Sequence, residues 1–366
     1  MAQKNHGISP DLIIHPGETI SDLLEERSMT QKELAHRAGV SEAFLSDVIH
    51  GNKDISKGLA MGLEYALGVP KSFWLNLQAH YDAELLSFQE EESIQEEEKT
   101  ILSSIHEIVD YLKKTAAISD DGTQAHTIIE LRKHFQVSSL TGLRTLVPTG
   151  AFRMSEKASV NPDVLGAWLC LCKVTGMYQH ADTAFDSACI DELVYEIKKF
   201  MLTCRGDFQN ELTELLARYG IELSIVRHFR GAPVQGYIAR KENGTYHMAL
   251  TLRGASADIF WFSLFHELGH IVNGDISKAG RFIDINDSDD VKKETAANTF
   301  AAQALLDPAG YELFIRKGVF SYASIEEYAR TQGVPPYVVI GRLQKEGMIP
   351  WTVFQKYKPK YKWVDL

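Results

Sequence analysis

His266-Glu267-Leu268-Gly269-His270 sets two imidazoles and a carboxylate at the spacing H-E-x-x-H. The run lies inside an apolar stretch from Ile259 to Val272 that is patterned like a helix. Residues four apart share a helical face. Both imidazoles can therefore reach one zinc ion, with Glu267 beside the open coordination position. Zinc lowers the pKa of its bound water towards neutrality, and a neighbouring carboxylate can take the proton while the hydroxide attacks a polarised carbonyl. That is peptide-bond hydrolysis, with Glu267 as the base. In a chain of 366 residues with 13 histidines, chance supplies roughly 0.04 such matches. The plain alternative is a pair of satisfied histidines on a core helix.

What separates the two readings is a third ligand, because a catalytic zinc takes three protein ligands and a water. Glu294 is the best candidate. It opens a second helical stretch that runs to Leu306. Ala297, Ala301 and Ala304 leave little bulk on one side of that stretch, so two helices can approach closely enough to share a metal. Asn298, one turn on, can orient a ligand. An isolated glutamate here would be read as a first-turn complement to the helix dipole. The expectation is one Zn2+ per chain, held by His266, His270 and Glu294.

Taken together, H-E-L-G-H and E-x-x-A-N-x-F-A-x-x-L-L-x-P (Glu294 to Pro308) resemble the ImmA/IrrE family of metallopeptidases over about residues 210 to 345. The resemblance implies a minimal zincin that cleaves helix-turn-helix repressors. It assigns His266, His270 and Glu294 to zinc and Glu267 to the base. Ala296 stands where many members carry a second acidic residue.

The helices that must position this chemistry are only part of the chain. At 366 residues and 45% hydrophobic, it has room for two or three cores. No apolar run reaches membrane-spanning length, and the N-terminus shows no apolar signal region. Cys170, Cys172, Cys189 and Cys204 read as reduced thiols of a cytoplasmic protein. The net charge of −11 argues against non-specific nucleic-acid affinity.

Near the N-terminus, His15-Pro16-Gly17-Glu18 starts a helix with proline at its first turn. Thr30-Gln31-Lys32-Glu33 is a capping box. Gly39-Val40-Ser41 makes the turn, and Ser41 caps the next helix, Glu42 to Ile49. This is a helix-turn-helix whose second helix would read DNA. Residues 10 to 85 resemble an XRE-type helix-turn-helix domain, and more narrowly the HigA-type antitoxins, on the opening His15-Pro-Gly-Glu18 and the exit Phe73 to Asp82. Gln31, Lys32, Ser41, Glu42, Ala43, Phe44 and Ser46 are the expected DNA-facing residues. From Asp11 to Asp82, however, 11 acidic residues face 6 basic ones, a balance of −5. Phosphate neutralisation dominates DNA affinity, so Lys32, Arg37, Lys53 and Lys57 must share a face or binding is weak.

Six glutamates within Glu90–Glu98 mark a solvated boundary. Residues 99 to 205 carry helical periodicity and no catalytic constellation. Beyond 206, Ile221–Val226, Gln235–Arg240 and Tyr246–Leu252 alternate like strands, and Asn243-Gly244 signals a hairpin. A small sheet before the zinc helix can hold a substrate backbone along an edge strand. Tyr237, Tyr246, His247 and Arg253 are open candidates for stabilising the oxyanion. Asp284–Asp290 lacks the glycine and glutamate of a calcium loop and reads as a solvated acidic loop. Helix-turn-helix patterning recurs over Ile325–Glu346. The tail, with Lys356, Lys358, Lys360 and Lys362 among aromatics, could make a nucleic-acid or protein contact, but reads first as solvated.

The expected architecture is multidomain and mainly α, with a small α+β zincin-like catalytic domain and an N-terminal all-α helix-turn-helix domain. Its parts are 1–85 helix-turn-helix, 86–205 helical spacer, 206–310 metallopeptidase core and 311–366 C-terminal helical extension. The expected function is a zinc endopeptidase that cleaves a repressor or toxin-like partner, with operator DNA as a second partner, no membrane, and a homodimer as the default. The rival is an antitoxin-like transcriptional regulator whose zinc domain senses or only cleaves itself.

Overall fold

The computed structural model describes residues 13–120, 122–147, 160–177, 180–204, 208–252, 255–276 and 291–363, and the backbone of 281–285. It is mainly helical, with one small sheet. Two compact units result. One is Met1–Lys99 with Asp121–Ile129; the other is Thr100–Asp120 with Glu130–Leu366. No described helix is long and apolar enough to cross a membrane.

The first unit holds α1 (Pro16–Glu26), α2 (Gln31–Ala38), α3 (Glu42–Ile49), α4 (Lys57–Leu67) and α5 (Lys71–Glu92). Each start is set locally. His15 accepts from the Gly17 N–H, Thr30 from Glu33, Ser41 from Phe44 and Ser56 from Leu59. Each cap satisfies an amide that the helix leaves unpaired. Gly39 ends α2 at φ +70°, a left-handed turn that any Cβ would strain. Ile20, Leu34, Leu45, Val48, Leu63 and Trp74 make the core. The expected break after 85 falls inside α5, which runs on to Glu92.

Next along the chain come α6 (Glu96–Ser104), divided between the units after Lys99, α7 (His106–Lys114), α8 (Gln124–Phe135), divided after Ile129, and then, in the second unit, α9 (Pro162–Met177), α10 (Ile190–Thr203) and α11 (Phe208–Ala217). Then come β1 (Ile221–Val226), β2 (Val234–Arg240), β3 (Tyr246–Thr251), α12 (Ala257–Val272) and β4 (Arg281–Ile285). The chain closes with α13 (Val291–Leu305), α14 (Pro308–Lys317), α15 (Tyr322–Gln332) and α16 (Pro336–Lys345). The sheet order is β1-β3-β2-β4, with β1 parallel to β3 and the other pairs antiparallel. Asn243-Gly244 does turn the β2–β3 hairpin: Gly244 sits at φ +85°, and Lys241 N–H donates to the Thr245 carbonyl.

The two faces of the sheet differ. Ile221, Leu223, Ile238, Met248 and Leu250 join the apolar core that contains α12. Glu222, Ser224 and His247 are buried on the opposite face. There His247 lies so close to α9 that a Cβ on Gly176 would be 2.6 Å from its Nδ1.

One core runs from Leu193 on α10 to Ile349, on both sides of 205/206 and 310/311. Two expectations are corrected. Asp284 and Ile285 belong to edge strand β4 rather than to a loop, while 286–290 lie outside the described residues. The tail is docked. Lys358 is buried and ion-paired with Asp258 at 2.6 Å, Ala257 N–H donates to the Pro359 carbonyl, and Tyr361 stacks on Phe208. Alternating lysines and aromatics suggested solvent, but here Tyr361 packs on α12 and Tyr357 stacks on Tyr322, while Lys356, Lys360 and Lys362 are exposed.

Candidate metal centre and helix-turn-helix face

The candidate ligands His266, His270 and Glu294 sit where α12 and α13 pack. Gly269, inside H-E-x-x-H, permits that approach: a Cβ there would lie 2.9 Å from the Ala297 Cα. Ala297 and Ala301 are wholly buried and Ala304 is half-buried, as the small-residue face requires.

At this crossing His266 Nε2 lies 3.1 Å from His270 Nε2. Glu294 Oε2 is 3.3 Å from the first and Glu294 Oε1 3.6 Å from the second. Among the described residues this is the cluster of three that could hold a metal ion. A tetrahedral zinc with bonds of about 2.0–2.1 Å holds its donors about 3.3 Å apart. The imidazole–imidazole distance and the two imidazole–carboxylate distances are therefore close to those between donors around one zinc ion, which leaves a position for a further ligand.

The other ring nitrogens are also engaged. His266 Nδ1 meets Asn298 Oδ1 at 3.1 Å. His270 Nδ1 meets Asp275 Oδ2 at 2.8 Å. With Nδ1–H donating outward, each Nε2 lone pair is directed at the shared position. Burial lowers the His270 pKa, against the raising effect of the bond to Asp275, and so favours the neutral, ligating form. Asp275, which the sequence reading did not assign, stands behind His270. The legible signal was Gly274-Asp275 directly after the apolar stretch.

Glu267 is fully buried. Its carboxylate lies against β2 at Gly236, where a Cβ would overlap it and sit 2.8 Å from the Glu267 Cγ. Sequence reading missed Gly236. The oxyanion candidates fare differently. Tyr237 and His247 have ring centroids 5.9 Å apart and lie on the sheet face turned away from α12. Ser224 Oγ is 3.0 Å from His247 Nε2, and burial, with Lys241 second, lowers the His247 pKa to about 4. Tyr246 packs edge-on to Phe185. Arg253 lies outside the described residues.

In the first unit, Gln31, Lys32, Ser41, Glu42 and Ala43 are exposed, whereas Phe44 and Ser46 are half-buried. Phe44 packs on the core, and Ser41 Oγ is engaged as the cap of α3. The cations are not left clear. Lys32 lies 3.8 Å from Glu42, Arg37 2.5 Å from Glu33 and Lys53 2.8 Å from Asp47. The recurrence at α15 and α16 copies the local turn, with Gly333 at φ +65°. Its second helix is unlike α3, because Val338, Val339, Ile340 and Leu343 are buried. It supports the core and presents no reading face.

Residues 20–74 match the helix-turn-helix family model, so the N-terminal unit contains a helix-turn-helix domain. Three solved structures are similar to part of the chain. An antidote protein of a plasmid maintenance system from Nostoc punctiforme is 39% identical, covering 21% of this chain and 88% of that one, with a TM-score of 0.20. A HigA-family addiction module antidote protein from Coxiella burnetii is 26% identical over 22% of this chain and 95% of that one, TM-score 0.20. Pseudomonas aeruginosa antitoxin HigA, solved with the higBA promoter, is 28% identical over 23% and 96%, TM-score 0.21. The comparison with curated proteins gave no match.

Proposed function

We propose that this chain is a zinc-dependent endopeptidase joined to a DNA-binding helix-turn-helix domain, acting on a protein partner of the repressor or toxin class. One observation supports it above others: His266, His270 and Glu294 bring their donors to the edge lengths of a zinc tetrahedron, with Glu267 on the same helix. Zinc held by His266, His270 and Glu294 would supply Lewis acidity for activating water and polarising a carbonyl. Glu267 takes the proton of the attacking water and returns it to the leaving amine. Burial favours the neutral form of His270, and Asn298 and Asp275 hold the two rings. The match of residues 20–74 to the helix-turn-helix model supports operator DNA as a second partner, bound as a homodimer to suit operator symmetry.

A second reading is favoured by the burial of the centre. Glu267 and His270 have no exposed surface, so a substrate backbone reaches them only after neighbouring groups move. In that reading the chain is an antitoxin-like transcriptional regulator whose metal centre senses a ligand or cuts only itself.

The discriminating experiment incubates the zinc-loaded full chain with candidate partners encoded beside it. Cleavage in trans that Glu267→Gln abolishes, and that substitution of Gln31 and Ser41 leaves intact, supports the peptidase. Operator binding that changes with zinc, without cleavage of any partner, supports the second reading.

A further inference from the structure

We infer that Asp275 is a positioning residue that clasps His270 with Nε2 turned to the metal position before an ion arrives. This deepens, and rests on, the reading of His266, His270 and Glu294 as a metal centre.

The clasp has two arms. Asp275 N–H donates to the His270 carbonyl at 3.1 Å, and His270 Nδ1 meets Asp275 Oδ2 at 2.8 Å. One residue thus holds another by its backbone and by its ring. The geometry comes from how α12 ends. Asn273 N–H closes on the Gly269 carbonyl and Gly274 turns left-handed at φ +72°. The chain then doubles back, and Asp275 falls under the last turn of the helix. A residue with a Cβ at 274 would strain that reversal.

The two histidines are held differently. His266 has a neutral amide behind it, contributed by Asn298 across the helix crossing. His270 has a carboxylate behind it, contributed by its own helix end. A carboxylate accepts more strongly from an N–H than an amide oxygen does. It therefore holds His270 in the Nδ1–H tautomer more firmly than Asn298 holds His266. The clasp is local and needs no packing of α13. His270 is thus pre-set by α12 alone, whereas His266 is set only once α13 has docked.

The test reads the tautomer directly. Full-length protein with 15N-labelled histidine is prepared metal-free, and long-range 1H–15N correlations are recorded for the wild type, Asp275→Ala and Asp275→Asn. Zinc affinity is measured for each by competition with a chelator. In the wild type, His270 is expected as Nδ1–H. Asp275→Ala is expected to release it to a tautomer mixture while His266 keeps its signature, and to weaken zinc roughly ten- to a hundredfold. Asp275→Asn keeps an acceptor oxygen, so it is expected to restore the tautomer and much of the affinity. His270 found as Nε2–H in the wild type, or Asp275→Ala with unchanged tautomer and affinity, overturns the inference. A wild-type chain that takes up no zinc defeats the metal reading instead, and the metal-free tautomer still decides the clasp.

Discussion

Gly236 on β2 and Glu267 on α12 share one volume: the Glu267 carboxylate occupies the space a Cβ on Gly236 would fill. Gly236 pairs with Leu250 on β3 and, next to a register shift at Val234/Gly236, with Asp284 on β4, so the strand backbone is held on both sides. A side chain at 236 must therefore move Glu267. Gly236→Ala is expected to keep zinc, because it touches no ligand, and to lower peptide hydrolysis by about a hundredfold, the cost of a misplacement near 1 Å. Glu267→Gln is expected to lose at least as much, up to about 10⁴-fold, since the amide cannot take a proton. Rates with elemental analysis check both. Full activity in Gly236→Ala would show that Glu267 finds another productive position.

The ligand set makes a stoichiometric claim. Wild type is expected to hold one zinc per chain, and His266→Ala, His270→Ala and Glu294→Ala to lose it. Ligand that binds only the folded state stabilises it, so a chelator should lower the Tm of wild type and leave His270→Ala unmoved. Full zinc in Glu294→Ala would remove Glu294 from the set.

The docked tail makes a claim about stability. The Lys358 and Asp258 side chains are 4% and 8% exposed, and Lys358 also donates to Gln344 Oε1 at 2.9 Å. Lys358→Ala strands the Asp258 carboxylate and should cost about 3–5 kcal/mol. Adding Asp258→Ala should recover most of it. Urea unfolding of the three proteins gives the cycle. A loss below about 1 kcal/mol for Lys358→Ala, the level of an exposed ion pair, would return the tail to solvent.

His247 should leave a mark on the pH dependence of stability. Its folded pKa of about 4 lies below the ordinary value of 6.5. The unfolded chain therefore binds a proton first as the pH falls. The stability tied to the neutral ring is complete above pH 6.5 and declines from there towards pH 4. His247→Gln should reduce the slope of Tm against pH in that window. Identical slopes in both proteins would mean that the ring titrates normally in the fold.

DNA binding should be weak and tunable. Lys32 and Lys53 each face a carboxylate of α3, Glu42 and Asp47. These carboxylates compete with phosphates for the same cations. Full-length protein should show a shallow log–log salt dependence, and Glu42→Gln with Asp47→Asn should steepen it by about 0.9 for each further phosphate neutralised. An unchanged slope and affinity in the double variant would place the reading face elsewhere.

Much of this was legible in the order of residues because it is local. His266 and His270 share a face through helical spacing alone. Thr30, Ser41 and Gly39 bound α2 and α3 through hydrogen bonds to residues close by in the chain. The strand spans and the Asn243-Gly244 turn follow from alternation and turn chemistry. Glu294 could be singled out because small residues follow it on one face. The rest was decided by packing between segments far apart in sequence. Which sheet face Tyr237 and His247 occupy depends on register and on α9. The burial of Lys358 depends on a partner 100 residues earlier, and the place of Glu267 on a glycine 31 residues before it. No periodicity records such pairings, since each arises only when two elements exclude water from the same space.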